Sequence, residues 1–179
     1  MLSRKNFALL NIYHSINDGF FDAIPVLLTF VVLAYGLGEK EVGAVVSAGT
    51  ALSTLAGLGT IAAARHLGPF RILALLMGIC AAGFIGAGLG TSFGCIAVCF
   101  TVAMAGYTVF HNICFSWLTA MTARERLGRI LSDFAAIGDI GRIPFIALAG
   151  YVSALSLWGM AGWRAICLFF GVLGIVAAC

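Results

Sequence analysis

Apolar runs of about twenty residues, the length a helix needs to cross some 30 Å of hydrocarbon, recur along this chain with only short polar breaks between them. That recurrence constrains the fold more than any single motif. The runs lie at 7–35, 42–64, 70–90, 93–121, 128–155 and 162–179. The breaks read "GLGEKEVG", "ARHLGPFR", "GLGTSFG", "TARERLGR" and "SLWGMAGWR", each marked by turn residues. Hydrophobic residues make up 62% of the chain, charged residues 9%, and the mean hydropathy is +1.10. Soluble domains carry about 25% charged residues, so lipid is the solvent for most of this surface. The expectation is an all-α, polytopic membrane bundle of six transmembrane helices forming one unit over residues 1–179.

Arg4 and Lys5 precede the first run as in a signal peptide, but Asn11, His14, Asn17 and Asp18 interrupt its apolar core. The reading is an uncleaved first membrane helix. The six cysteines (80, 95, 99, 114, 167 and 179) lie in apolar segments without CxxC spacing, and they read as buried free thiols rather than disulfides or metal ligands. A net charge of +3 with no long basic run gives no reason to expect a nucleic-acid partner.

The ten basic residues divide unevenly. Arg4, Lys5, Arg65, Arg71, Arg124, Arg126 and Arg129 fall on one side of the six-span topology, Lys40 and Arg164 on the other, and Arg142 within the fifth span. The positive-inside bias then puts the amino terminus in the cytoplasm of a plasma or inner membrane. Spans 2 and 5 share a spacing ("VGAVVS" at 42–47, "LGRILS" at 127–132), as do spans 3 and 6 ("FRILALLMG" at 70–78, "WRAICLFFG" at 163–171). Two three-helix units related in this way are inverted in the membrane, a pattern found in transporters.

Charge inside the spans is where function is sought. At about 100° per residue, Asn11, His14, Asp18, Asp22 and Thr29 fall in one stripe about 80° wide. Asp18, His111, Asp139 and Arg142 lie near the centres of spans 1, 4 and 5. A charge there costs about 2.5–3.5 kcal/mol on insertion scales, so such groups face a bundle interior or a watery cavity and pair with one another. Arg142 is expected within reach of Asp18, Asp22 or Asp139. Structural pairing and a substrate or proton path are both open readings of this cluster, as are interhelical hydrogen bonding and proton relay for His14 and His111. Asp133, four residues after Arg129, reads as a helix-end ion pair. The glycine runs at 57–59 and 83–88 read as packing faces.

With these features in place, the whole chain resembles the amino-terminal half of a major facilitator superfamily transporter. The polar first helix ending in "DAIPVLL", the loop "ARHLGPFRIL" with Gly68 and Arg71, the run "RERLGRILSDFAAIGDIGRIPF" and "GWRAICLFFGVLG" carry the resemblance through their order and spacing. The pattern "H...ND....AIPVLL" is also similar to fosmidomycin-resistance-type exporters. Two positions depart from the family: Arg65 stands where the loop motif has an aspartate, and Arg142 and Ile143 separate Gly141 from Pro144. The resemblance implies helices 1 and 4 lining a central cavity, 2 and 5 flanking it, and 3 and 6 facing lipid. It implies a proton-coupled secondary transporter of a small amphipathic organic solute, with efflux of a drug or metabolite among the candidate activities. The implied substrate and proton path is His14, Asp18, Asp22, His111, Asn112, Asp139 and Arg142, with Gly68 and Arg71 as a conformational loop motif and no cofactor. The implied partners are lipid, solute, protons and a second six-helix half. That half is either missing from a truncated twelve-helix parent or supplied by a two-fold dimer, and a lone monomer is not expected to transport.

Two other classes compete. One is a non-transporting membrane protein, either an assembly factor or an inactive remnant. The other is an intramembrane enzyme, but the chain has no GxSG motif and no histidine after His111 to act as base. A metal set of His14, Asp18 and Asp22 on one helix drifts about 40° per step, and no metal is expected there.

Overall fold

The computed structural model describes residues 3–157 and 159–179, with side chains at all of these except 60–63 and 65. The side chain of Arg65, the loop-motif departure, therefore lies outside the described residues. The fold is nearly all helix: α1 (Arg4–Ala34), α2 (Glu39–Leu67), α3 (Pro69–Leu89), α4 (Phe93–Met104), α5 (Tyr107–Met121), α6 (Arg124–Gly141), α7 (Ile143–Ser153) and α8 (Gly162–Ala178). A two-residue antiparallel hairpin, β1 (Ser156–Leu157) with β2 (Met160–Ala161), joins α7 to α8.

Local signals set the helix ends. Ser3 and Ser92 cap α1 and α4 by accepting the backbone N–H groups of Asn6 and Cys95. The Glu41 carboxylate reaches back to the Gly38 N–H at 2.9 Å, and Glu39 adds a second acidic residue to the positive end of α2. Between α2 and α3 the chain turns on Gly68 at φ 75°, a left-handed value that glycine adopts freely, and Pro69 starts the next helix. Arg71 is exposed in the first turn of α3.

Among the described residues, five spans are long and apolar enough to cross a membrane: Arg4–Ala34, Glu39–Gly59, Pro69–Leu89, Phe93–Met121 and Arg124–Ser153. Gly162–Ala178 is apolar but shorter, at 17 residues. Two of the five are not the continuous rods expected from the sequence. The fourth parts at Ala105–Gly106 into α4 and α5, and the fifth parts at Arg142 into α6 and α7. Pro144 accounts for the second break. It has no N–H to donate, and its ring crowds the carbonyl four residues back, at Ile140.

The first helix is the hub. It touches α2 and α4 through α8, while α3 packs most extensively on α8 and α4. Phe20, Phe84, Phe100 and Phe170, all fully buried, meet at centroid distances of 5.1–6.0 Å and lock α1, α3, α4 and α8 together. Gly83 and Gly86 let α4 approach, since a side-chain carbon at either would meet Cys99, and Gly88 does the same for α8. The glycine run at 83–88 is thus a packing face.

Arg164, read in the sequence only as a loop charge, is a structural tie. Its guanidinium donates to the carbonyls of Gly88 (2.9 Å) and Gly90 (2.7 Å) at the end of α3, and it reaches the Tyr35 hydroxyl just past α1 at 3.5 Å. It also lies 4.3 Å from the Trp163 ring centre. Cations belong at helix carboxyl ends, where carbonyls are left unpaired. Hydrogen bonds to charged groups contribute about 1.5–3 kcal/mol. Arg164→Met is accordingly expected to lower the unfolding free energy in mixed micelles by that amount, with helix content in the folded state unchanged.

Candidate functional site

The polar groups of the spans sort into two neighbouring assemblies rather than one. The first is buried. His14 and Asp18, on consecutive turns of α1, are 3% and 4% exposed, and His111 of α5 comes in against them. The Asp18 carboxylate lies 3.0 Å from His14 Nε2 and 3.4 Å from His111 Nε2, and it accepts a hydrogen bond from the Asn17 amide at 3.0 Å. The two Nε2 atoms are 3.2 Å apart.

Backbone carbonyls fix both rings from behind. His14 Nδ1 is 3.1 Å from the Phe134 carbonyl of α6, and His111 Nδ1 is 2.9 Å from the Tyr107 carbonyl. A carbonyl oxygen only accepts, so each Nδ1 carries the proton and each Nε2 points at Asp18. The His14 ring is also stacked between Phe134 (4.1 Å, 16°) and Phe110 (5.7 Å, 27°), which holds its plane. Room for this ring comes from Gly138, where any Cβ would overlap the imidazole.

The second assembly sits at the break in the fifth span. Arg142, the residue between α6 and α7, donates to Asp22 of α1 at 2.8 Å and forms an ion pair with Asp139 at 3.0 Å. Its side chain is 35% exposed, against 27% for Asp22 and 64% for Asp139. The reach expected for Arg142 is realised toward Asp22 and Asp139, and Asp18 goes to the histidines instead. The end of α6 is aimed by its helix break, so the guanidinium bridges one carboxylate on its own helix and one on α1.

The other polar candidates of the sequence lie outside these two assemblies. Asn112 is not part of the His111 assembly; its side chain is exposed toward α2, where its amide reaches the Gly57 carbonyl at 3.4 Å. One position along a helix turns a side chain by about 100°, which separates it from His111. Thr29, placed on the α1 stripe, is exposed and bonds back to the Pro25 carbonyl of its own helix. Asp22 turns to Arg142, while His111 joins His14 and Asp18. Arg129 and Asp133 pair at 3.7 Å on an exposed helix face, as their spacing implies. Asn17, Gly138 and the Phe134 carbonyl belong to the site and were not singled out for it. Asn17 had a signal, since it adjoins the aspartate, whereas the other two act through backbone and space. No family model matches the chain, and no curated protein matches it.

Proposed function

We propose that the chain is one six-helix half of a proton-coupled secondary transporter of the major facilitator type, moving a small amphipathic organic solute. The observation that carries the reading is the Asp22–Arg142–Asp139 bridge, which lies mid-span, at a helix break, and on an open face of the bundle. Charges inside membrane spans mark substrate and ion paths, and transporters place broken helices at their binding sites. In this reading Asp22 is the proton carrier. A proton and the Arg142 guanidinium compete for one carboxylate, so protonation opens the pair and deprotonation closes it. The groups facing this switch are Asp139 and Arg142 across the break, with Asp18 and Tyr107 behind it.

A second six-helix unit belongs over this face, either a contiguous partner half or another copy of the chain. The spans assigned to flank the cavity, the second and the fifth, bury the smallest share of their residues among the five described. The fifth presents Asp139 beside Ile140 and Ile143, which are 69% and 59% exposed. Lipid would be a costly neighbour for that carboxylate. The paired spacings of spans 2 and 5 and of spans 3 and 6 support an inverted repeat within each half.

Reconstitution into liposomes with an imposed pH gradient and a panel of radiolabelled amphipathic solutes tests the proposal. Uphill accumulation is expected from paired halves, and Asp22→Asn is expected to abolish it while leaving solute exchange. Undiminished accumulation by Asp22→Asn removes the coupling assignment, and a monomer that accumulates solute removes the two-half architecture. Absence of both accumulation and exchange in every paired form favours the non-transporting alternative.

A further inference from the structure

We propose that His14, Asp18 and His111 bind one divalent transition-metal ion between α1 and α5. The inference stands apart from the transport reading, since it rests on three side chains and what holds them. His14 Nε2 lies 3.0 Å from Asp18 Oδ2, His111 Nε2 lies 3.4 Å from Asp18 Oδ1, and the two Nε2 atoms are 3.2 Å apart. Metal–nitrogen and metal–oxygen bonds of about 2.0–2.2 Å put neighbouring ligands about 2.9–3.5 Å apart in octahedral or tetrahedral geometry. Contacts of 3.0–3.4 Å between each pair of the three residues fall in that range, with the carboxylate offering one oxygen or both to the ion.

Protonation makes the same point. With both Nδ1 protons committed to the Phe134 and Tyr107 carbonyls, two neutral imidazoles and a carboxylate turn two Nε2 lone pairs and two carboxylate oxygens toward one another. Buried as these groups are, that arrangement repels itself unless a cation lies among them. Metal-bound histidines characteristically donate their other N–H to a carbonyl or carboxylate, which orients the ring and raises its basicity. Here both do. Two imidazoles with one carboxylate suit Zn²⁺, Co²⁺, Ni²⁺, Fe²⁺ or Mn²⁺, whereas Mg²⁺ and Ca²⁺ favour all-oxygen sets. The rival cation is a single proton shared among the same atoms, and only the metal gives a stoichiometric complex. An ion at this point clamps α1 to α5 through side chains 97 residues apart in sequence.

The test uses the full chain, purified in detergent, stripped with chelator and titrated with Co²⁺. Equilibrium dialysis with elemental analysis is expected to find one Co²⁺ per chain, with visible d–d absorption and a raised melting temperature. His14→Ala and His111→Gln should each weaken binding by about a hundredfold, and His66→Ala, which alters an exposed histidine outside the cluster, should leave it unchanged. His111→Gln keeps the test open if His14→Ala does not fold, because His111 is the most exposed of the three side chains, at 19%. Folded wild-type chain that binds no Co²⁺ overturns the proposal and leaves the shared proton. Full binding by a folded His111→Gln chain overturns it as well.

Discussion

Arg142→Ala is expected to cost about 3–5 kcal/mol of stability, the loss typical of breaking one side of a buried ion pair. The partial exposure of Arg142 argues for less, since exposed pairs in water contribute about 0–1 kcal/mol. Depth decides between the two figures. The bridge lies mid-span in helices long and apolar enough to cross a membrane, where each unpaired carboxylate costs about 2.5–3.5 kcal/mol on insertion scales. Removing the guanidinium strands two of them, Asp22 and Asp139. Neutralising both partners in the same chain, as Arg142→Gln with Asp22→Asn and Asp139→Asn, is expected to recover most of the loss. Unfolding titrations in mixed micelles measure both. A loss below about 0.5 kcal/mol for Arg142→Ala would place the bridge in a water-filled environment.

Gly138→Val is expected to be as damaging, although it only adds carbon. Its Cβ falls on the His14 imidazole, so either α6 withdraws from α1 or the ring leaves its place between Phe134 and Phe110. If the ring leaves, it loses the Phe134 carbonyl and its contact with Asp18. Overpacking alone costs about 1–3 kcal/mol, and stripping a partner from a buried carboxylate brings the total to about 3–5 kcal/mol. The diagnostic is coupling: in a His14→Ala background the same valine has space, and its cost should fall below about 1 kcal/mol. Equal costs in the two backgrounds would show that Gly138 matters for some other contact.

Length and hydropathy were enough to locate the long apolar spans, because crossing hydrocarbon demands such runs, but not the helix breaks within the fourth and fifth of them. Gly68–Pro69 was legible as a helix junction for the same kind of local reason. The break at Arg142 was not, although Pro144 was in view: proline disrupts the bonding of residues before it, and the sequence does not say where the chain yields. The membership of the buried site was half legible. A helical wheel places His14, Asp18 and Asp22 on one stripe but is silent on which neighbour each one meets. Asp18 meets His111, and Asp22, one turn further, meets Arg142. Asn112 shows the limit from the other side, since adjacency to His111 in sequence put it on a different face. Gly138 and the Phe134 carbonyl carry no chemical label, and Arg164 differs from an ordinary loop arginine only through the carbonyls it finds.

The long-range ties carry a consequence for the order in which the molecule is made. Arg142 follows Asp22 by 120 residues, and Arg164 follows Gly88 by 76. At about 5–20 residues per second of synthesis, the first span waits about 6–24 seconds before its counter-ion exists. Through that interval Asp22 does not meet the Arg142 guanidinium, and the end of α3 keeps its carbonyls open until α8 emerges. Translation therefore delivers the hub of the bundle before its fastenings. Nascent chains halted before residue 142 hold Asp22 without the guanidinium that pairs it in the finished fold.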